Sequence, residues 1–311
     1  MEFTRQPVPG GPEQPKVLHM QPYSPSNLVE QLSRNSTPYH DPLAKIHWDL
    51  LTTDQFWLPP EAISLHGVPA FMALPEETRR RLSQYEFLNF VDAGLWLEGI
   101  FMERIVHTMR SRRNDRANLR YRLHELREEA GHSLMFVELM ERSGLATPPR
   151  RLPRFLLADI FGRHAPMESA GFWLAILLGE EMPDRLNRYL RRHDADICPT
   201  IVEMSTAHII DEARHIAYAL EVLRGRLLDL STPARLLLKP VVQKMISQFV
   251  ELFYYPRPEL YESAGLKPGG SWARAARSNP GRTAFVGQCL KPTLQLLRDR
   301  GFDLRRHGAV T

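Results

Sequence analysis

From Pro75 onward apolar residues recur along the chain at helical spacing. "PEETRRRLSQYEFLNFVDAGLWLEGIFMERIVHTMR" puts Pro at a first-turn position, acids behind it and apolar residues at helical intervals. This predicts one long helix with a break near its start. A second long helix is predicted over about 116–143, stopping at Gly144 ahead of "ATPP". A third helical region covers 151–192 and is broken near "GRHAP". A fourth opens at Thr200, where "TIVE" has the spacing of a capping box, and runs to about Gly225. Two or three further helices fill 233–300, with Pro240 and Pro292 as kinks or boundaries. No alternating strand pattern stands out. The expected fold is all-α, with long helices of bundle type.

The segment before Pro75 has another texture. Twelve of the 25 prolines lie in the first 75 residues. Residues 1–74 therefore read as an extended, Pro-rich arm with little regular structure of its own, its first 20 or so residues disordered. Trp48, Phe56, Trp57 and Leu58 argue that the later half of the arm packs on something. Residues 75–311 form the helical domain.

Composition narrows the function classes. The 311 residues are 43% hydrophobic, enough for one large core. The two cysteines, Cys198 and Cys289, make no framework of disulfides or thiolate ligands, so a reducing cytosol is expected. Net charge is only +4. Arg110, Arg112, Arg113, Arg116, Arg120 and Arg122 cluster around one helix connection, but without interleaved aromatics they read as a solvated junction, not a nucleic-acid surface. The longest apolar run, "AGFWLAILLG", is about half of what crosses a bilayer, and residues 1–15 carry no apolar leader. A soluble, cytoplasmic protein is expected, with neither nucleic acid nor membrane as partner.

Candidate chemistry enters with "STAHIIDEARH", Ser205 to His215. His208, Glu212 and His215 fall on one helix face. A second copy of the acid-Glu-x-x-His pattern occurs in "EEAGH", Glu128 to His132. Glu129 and Glu212 are 83 residues apart, and 31 residues upstream of each lies another glutamate, Glu98 and Glu181. One Glu from each of two helices plus Glu-x-x-His from each of two others is how four-helix bundles hold a metal pair. The carboxylates balance charge and each histidine gives a metal one nitrogen. A single Glu-x-x-His is common on solvated faces. Two copies in phase, with upstream glutamates in the apolar contexts "FVDAGLWLEGIF" and "FWLAILLG", are not.

Equal spacing favours Glu181 over the adjacent Glu180, although Pro183 can bend the helix and aim either one. Asp211 and Glu128, next to the paired glutamates, are candidates to orient the ligand histidines. One turn before the paired glutamates the halves differ: His208 stands where the first half has Glu125. His208 reads as a third imidazole on one metal, against the alternative of a core histidine. Glu125 reads as an outer neighbour or as unrelated.

The sequence resembles the p-aminobenzoate N-oxygenase family, ferritin-like di-iron oxygenases of antibiotic biosynthesis that convert arylamines to nitroarenes. The resemblance rests on "EEAGH", on "HIIDEARH" with its extra histidine, and on the upstream glutamates. It is strongest over 80–225, and the "WDLL…LHGVPAFMALPEETRRRL" lead-in shares it. It implies a ferritin-like four-helix bundle with extra C-terminal helices, and two iron ions held by Glu98, Glu129, His132, Glu181, His208, Glu212 and His215. It further implies O2 as co-substrate, an aromatic amine as substrate and a homodimer.

No nucleotide-binding glycine motif is present, so electrons must come from outside, through a ferredoxin and reductase or a small reductant. Phe90 and Gly94, one and two turns before Glu98, are candidate pocket lining. A substrate carboxylate would call for an arginine, and Arg274, Arg277 and Arg282 are the candidates. The competing readings are a di-iron carbon hydroxylase, a ferroxidase, and a radical-bearing subunit using Tyr121.

Overall fold

The computed structural model describes residues 25–111, 115–148 and 157–304. The first 20 or so residues therefore lie outside the described ones. The rest of the arm holds more helix than its prolines suggest. It carries α1 (Pro25–Ser36) and two single-turn helices, α2 (Pro42–Lys45) and α3 (Pro69–Met72). Each begins at a proline, where a fixed φ suits the first turn and the missing N–H costs no bond. Val29 and Leu32 are buried on α1, which packs against α5 (Arg116–Arg142) and α8 (Pro199–Leu228). Trp57 is fully buried: its backbone N–H donates to Ser83 Oγ at 3.1 Å and its indole to the Thr52 carbonyl at 2.8 Å.

The body is built on four long helices: α4 (Glu76–Ser111), α5, α7 (Ala170–Arg192) and α8. α4 packs along α5 and α7 along α8, while contacts of α4 with α7 and of α5 with α8 close the bundle. The first helix has no break near its start. α6 (Leu157–His164) lies on the crossover between the pairs. The first half of α7, 170–179, is apolar all round, and the helix is buried over nearly its whole length, because α9 (Thr232–Tyr254) and α12 (Pro280–Arg298) cover its outer side. α10 (Pro258–Ser263) and α11 (Gly269–Arg277) complete the C-terminal layer.

Two local expectations change. α8 starts one residue early, with Pro199 in its first turn and no side-chain cap. Thr200 instead donates its hydroxyl to the His47 carbonyl at 2.9 Å, which ties the arm to α8. Pro240 and Pro292 lie inside α9 and α12 and end neither helix. Among the described residues β pairing is limited to one isolated bridge, Phe56 with Ile197. No helix of the described residues is long and apolar enough to cross a membrane.

Candidate metal centre

The four long helices point acids and imidazoles at one another in the middle of the bundle. Two groups form. Glu98, His132, His208 and Glu212 make the first; Glu125, Glu129, Glu180 and His215 make the second, and the ligand atoms within each group lie within 4.8 Å of one another. All eight residues are buried. α5 and α8 contribute matching triplets: Glu125, Glu129 and His132 from one, His208, Glu212 and His215 from the other.

Glu129 and Glu212 sit between the two groups. Glu129 reaches His132 Nδ1 with Oε2 at 3.1 Å and His215 Nδ1 with Oε1 at 3.0 Å. Glu212 lies 3.5 Å from His132 and from His208 through Oε1, and 3.4 Å from His215 through Oε2. Several of these inward atoms have no hydrogen-bond partner despite being buried: Glu129 Oε1, both oxygens of Glu212, and His215 Nδ1. The 3.0 Å approach of His215 to Glu129 thus has the distance of a hydrogen bond without its geometry. Buried polar atoms are rarely left this way. Orphaned carboxylate oxygens and an orphaned imidazole nitrogen facing one another are the donor set of a metal pair, so the residues fit one.

The outward nitrogens of two histidines are held by acids of the facing helix. His132 Nε2 lies 3.3 Å from Asp211 Oδ2, and His215 Nε2 lies 3.0 Å from Glu128 Oε2. Arg214 pairs with both acids, at 2.8 Å to Glu128 and also with Asp211. His208 is turned the other way: Nε2 faces Glu98 at 3.4 Å, and Nδ1 lies 3.2 Å from the side-chain amide of Asn187.

The protonation pattern is that of a site made for cations. Burial pushes the Glu98 and Glu180 carboxyls well up and Glu125 up to about 7. Burial also pulls His208 down to about 4. Glu129 and Glu212 feel the same burial, but imidazole charges and hydrogen bonds outweigh it and hold both low, Glu212 at about 2. His132 is disfavoured by burial yet lifted to about 10 by its bonds to Asp211 and Glu129. Positive charge supplied by protons thus occupies the place a metal pair would take.

The residues singled out in the sequence fall as follows. Glu98, Glu129, His132, His208, Glu212 and His215 come together. Glu181 does not join them: it accepts from Arg185 Nε at 3.0 Å and from Thr293 Oγ1 at 2.9 Å, joining α7 to α12. Glu180 faces the site instead. Neighbours on a helix point about 100° apart, so only one of the two can face inward, and spacing counted across loops carries no helical phase. Glu125, read as peripheral, stands inside the second group. Its signal was present: it occupies the position that His208 holds in the other half.

Phe90 and Gly94 line a narrow cavity against Glu98, His208 and Glu212. A Cβ at Gly94 would meet the Phe136 ring at 2.9 Å, so glycine there lets that ring close over the site. Arg282 serves a packing role among the described residues. It is buried 3.8 Å from Glu86 and donates to the carbonyls of Tyr254 (Nε, 3.0 Å) and Ala62. Arg277 pairs with Glu251 at 2.8 Å, and Arg274 is exposed. Tyr121 is buried with an unpartnered hydroxyl and packs on Tyr218, ring centres 4.6 Å apart. Of the arginine cluster, Arg116 and Arg120 are exposed, whereas Arg122 is buried and not solvated. Arg112, Arg113 and the Arg110 side chain lie outside the described residues.

Residues 24–301 match the family of the p-aminobenzoate N-oxygenase AurF. An uncharacterized protein of Mycobacterium bovis and one of Mycobacterium tuberculosis strain H37Rv are each 30% identical over 201 residues, covering 62% of this chain. The aligned region is 57% of the length of those relatives. The family match takes in nearly the whole described fold and every residue of the two ligand groups. The chain belongs to the p-aminobenzoate N-oxygenase AurF family.

Proposed function

We propose that this member of the p-aminobenzoate N-oxygenase family uses a pair of iron ions to transfer oxygen from O2 to the nitrogen of an aromatic amine, in steps from amine to hydroxylamine, nitroso and nitro. The observation that carries the reading is the pair of buried ligand groups joined by Glu129 and Glu212, with inward atoms that lack any other partner. When bound, the iron pair would supply reversible redox change and O2 activation.

The chain's own residues do the rest. Glu98, His132, His208 and Glu212 would hold one ion, and Glu125, Glu129, Glu180 and His215 the other, while Glu129 and Glu212 also approach histidines of both groups. Five carboxylates and three imidazoles are oxygen and nitrogen donors that suit iron or manganese better than a soft, thiophilic ion. Asp211 and Glu128 hold the rings of His132 and His215 in orientation. Phe90, Phe136 and Gly94 line a narrow space that keeps water from the side of His208, and a planar ring would enter it only with movement of the two phenylalanine side chains. The amine enters there, in this reading, with its nitrogen toward Glu98 and Glu212. Electrons come from an external carrier, and the working unit is a homodimer in a specialised-metabolite pathway.

The test is a single turnover. The protein is loaded anaerobically with ferrous iron, mixed with 4-aminobenzoate and isotopically heavy O2, and the product mass is read. Heavy oxygen on nitrogen supports the proposal. Oxygen on ring carbon turns it into a carbon hydroxylase, and oxidation of iron without any oxygenated product turns it into a ferroxidase.

A further inference from the structure

His132 and His215 are each held by an acid across the interface of α5 and α8, through the nitrogen that faces away from the ligand groups. His208 is held differently. Its outward nitrogen, Nδ1, lies 3.2 Å from the side-chain amide nitrogen of Asn187 on α7. Both side chains are buried, Asn187 at 3% exposure and His208 at 5%. The acid one turn earlier on α7, Asp184, is taken by Arg188 at 2.6 Å.

Helix phase sets this contact. Asn187 follows Glu180 by seven residues, or two turns, so both project from one face of α7, which packs along α8. A single helix thus supplies a ligand, Glu180, to the second group and a partner for His208 to the first. The two acids that brace His132 and His215 belong to the repeated Glu-x-x-His motifs. His208 has no histidine counterpart in the other half, where Glu125 stands, and its partner comes from outside the repeat.

The ring of His208 lies against the rings of His132 and Phe136, with centres 4.4 and 5.6 Å away. Ring faces fix the plane of an imidazole but do not tell one edge from the other. Which nitrogen points inward, and which carries the proton, is decided by a hydrogen bond at the ring edge. Nε2 points inward, 3.4 Å from Glu98 and 3.5 Å from Glu212. It can bind an ion only without a proton, so the neutral ring must carry its proton on Nδ1. The amide can serve that tautomer. A half-turn about its last side-chain bond exchanges nitrogen for oxygen at nearly the same place, and the oxygen accepts from Nδ1–H. An N–H2 in that place would leave the proton on Nε2 and block it as a ligand.

We propose that Asn187 is the positioning residue of His208: its amide oxygen holds the proton on Nδ1 and so presents a bare Nε2 to the ion of the first ligand group. The proposal rests on the metal-pair reading of the site. Asp211 and Glu128 brace their histidines with charge. Asn187 is neutral, and fixes the third ring without adding a further negative charge beside five carboxylates.

The test is the nitrogen NMR spectrum of the full chain, isotopically labelled in its histidine rings and loaded with zinc as a diamagnetic probe. The His208 signals are those missing from His208→Gln. A proton on Nδ1 and zinc on Nε2 are expected. Asn187→Leu, which keeps the bulk and removes the oxygen, should lose this pattern at His208 alone and lower zinc affinity roughly 10- to 100-fold. Asn187→Asp, which keeps an oxygen and loses the N–H2, should retain the pattern. Zinc on Nδ1 of the unaltered chain overturns the proposal, as does an Asn187→Leu variant with pattern and affinity unchanged. If the leucine variant fails to fold, Asn187→Asp decides, and loss of the Nδ1 proton there overturns the proposal. A loaded chain with zinc on His132 and His215 but not on His208 contradicts this proposal alone. A chain that takes up no zinc contradicts the metal-pair reading with it.

Discussion

His215 on α8 presents its Nε2 to Glu128 on α5, 3.0 Å away, so the acid that fixes this ring belongs to the facing helix. With Nε2 directed at that carboxylate, Nδ1 is the nitrogen that faces the site. His132 makes the mirror arrangement with Asp211 on α8 at 3.3 Å. Each Glu-x-x-His motif therefore carries, one residue before its glutamate, the acid that orients the other motif's histidine. Two helices cross-brace one centre, and Arg214 offsets the charge of both braces.

The bracing makes a prediction about affinity rather than fold. Glu128→Gln and Asp211→Asn should each keep helix content and lower metal affinity roughly 10- to 100-fold, the range typical of groups that orient a ligand. Competition against a chelator of known strength measures it. Unchanged affinity in both variants would mean the acids serve only Arg214.

The adjacent glutamates on α7 should separate cleanly. Glu180→Ala should lower the metal content per chain. Glu181→Ala should leave the metal content intact and destabilise the fold by about 1–3 kcal/mol, because Thr293 loses its acceptor in a buried contact. Metal analysis and denaturant unfolding of both proteins decide it; loss of metal from the Glu181 variant alone would restore the equal-spacing argument.

That pair also marks where the sequence stops being informative. The 83-residue repeat aligns Glu125 with His208, Glu129 with Glu212 and His132 with His215, because those triplets lie within single helices of fixed phase. It misplaces the fourth carboxylate by one residue, because the distance from α7 to α8 runs through a loop. Helix α1 escaped notice because prolines surround it, though Val29 and Leu32 already stand at a helical interval. Arg122 and Arg282 are beyond sequence reading altogether. Nothing local separates a buried guanidinium from a solvated one, and the third dimension decides which it is.

Metal uptake should release protons. Burial holds Glu125 up to about 7, and bonds to Asp211 and Glu129 overcome burial to hold His132 up to about 10. Both groups are raised, so both keep their protons below those values, and a metal must displace them. Affinity should therefore climb with pH through 7 and continue climbing toward 10, with protons released on loading at neutral pH. Calorimetry in two buffers of different ionisation heat counts the protons. Loading that is flat between about pH 6 and 8 would contradict the protonation pattern.

Arg282 should matter for stability alone. Removing it leaves Glu86 buried beside Ser64 without its counter-charge, and two carbonyls without a donor. Arg282→Met should cost about 3–5 kcal/mol, and a second change, Glu86→Gln, should recover part of it. Urea unfolding of the two variants tests this. A selective loss of amine binding, with stability intact, would return Arg282 to the substrate site.

The central claim is that the two buried ligand groups hold a coupled pair of iron ions. Iron content together with Mössbauer spectra of the purified, iron-loaded chain tests it most directly. The account predicts about two irons per chain and a spin-coupled diferric signal, both lost on Glu129→Ala, since that carboxylate faces both groups. A single isolated iron, or full loading that survives Glu129→Ala, would contradict it.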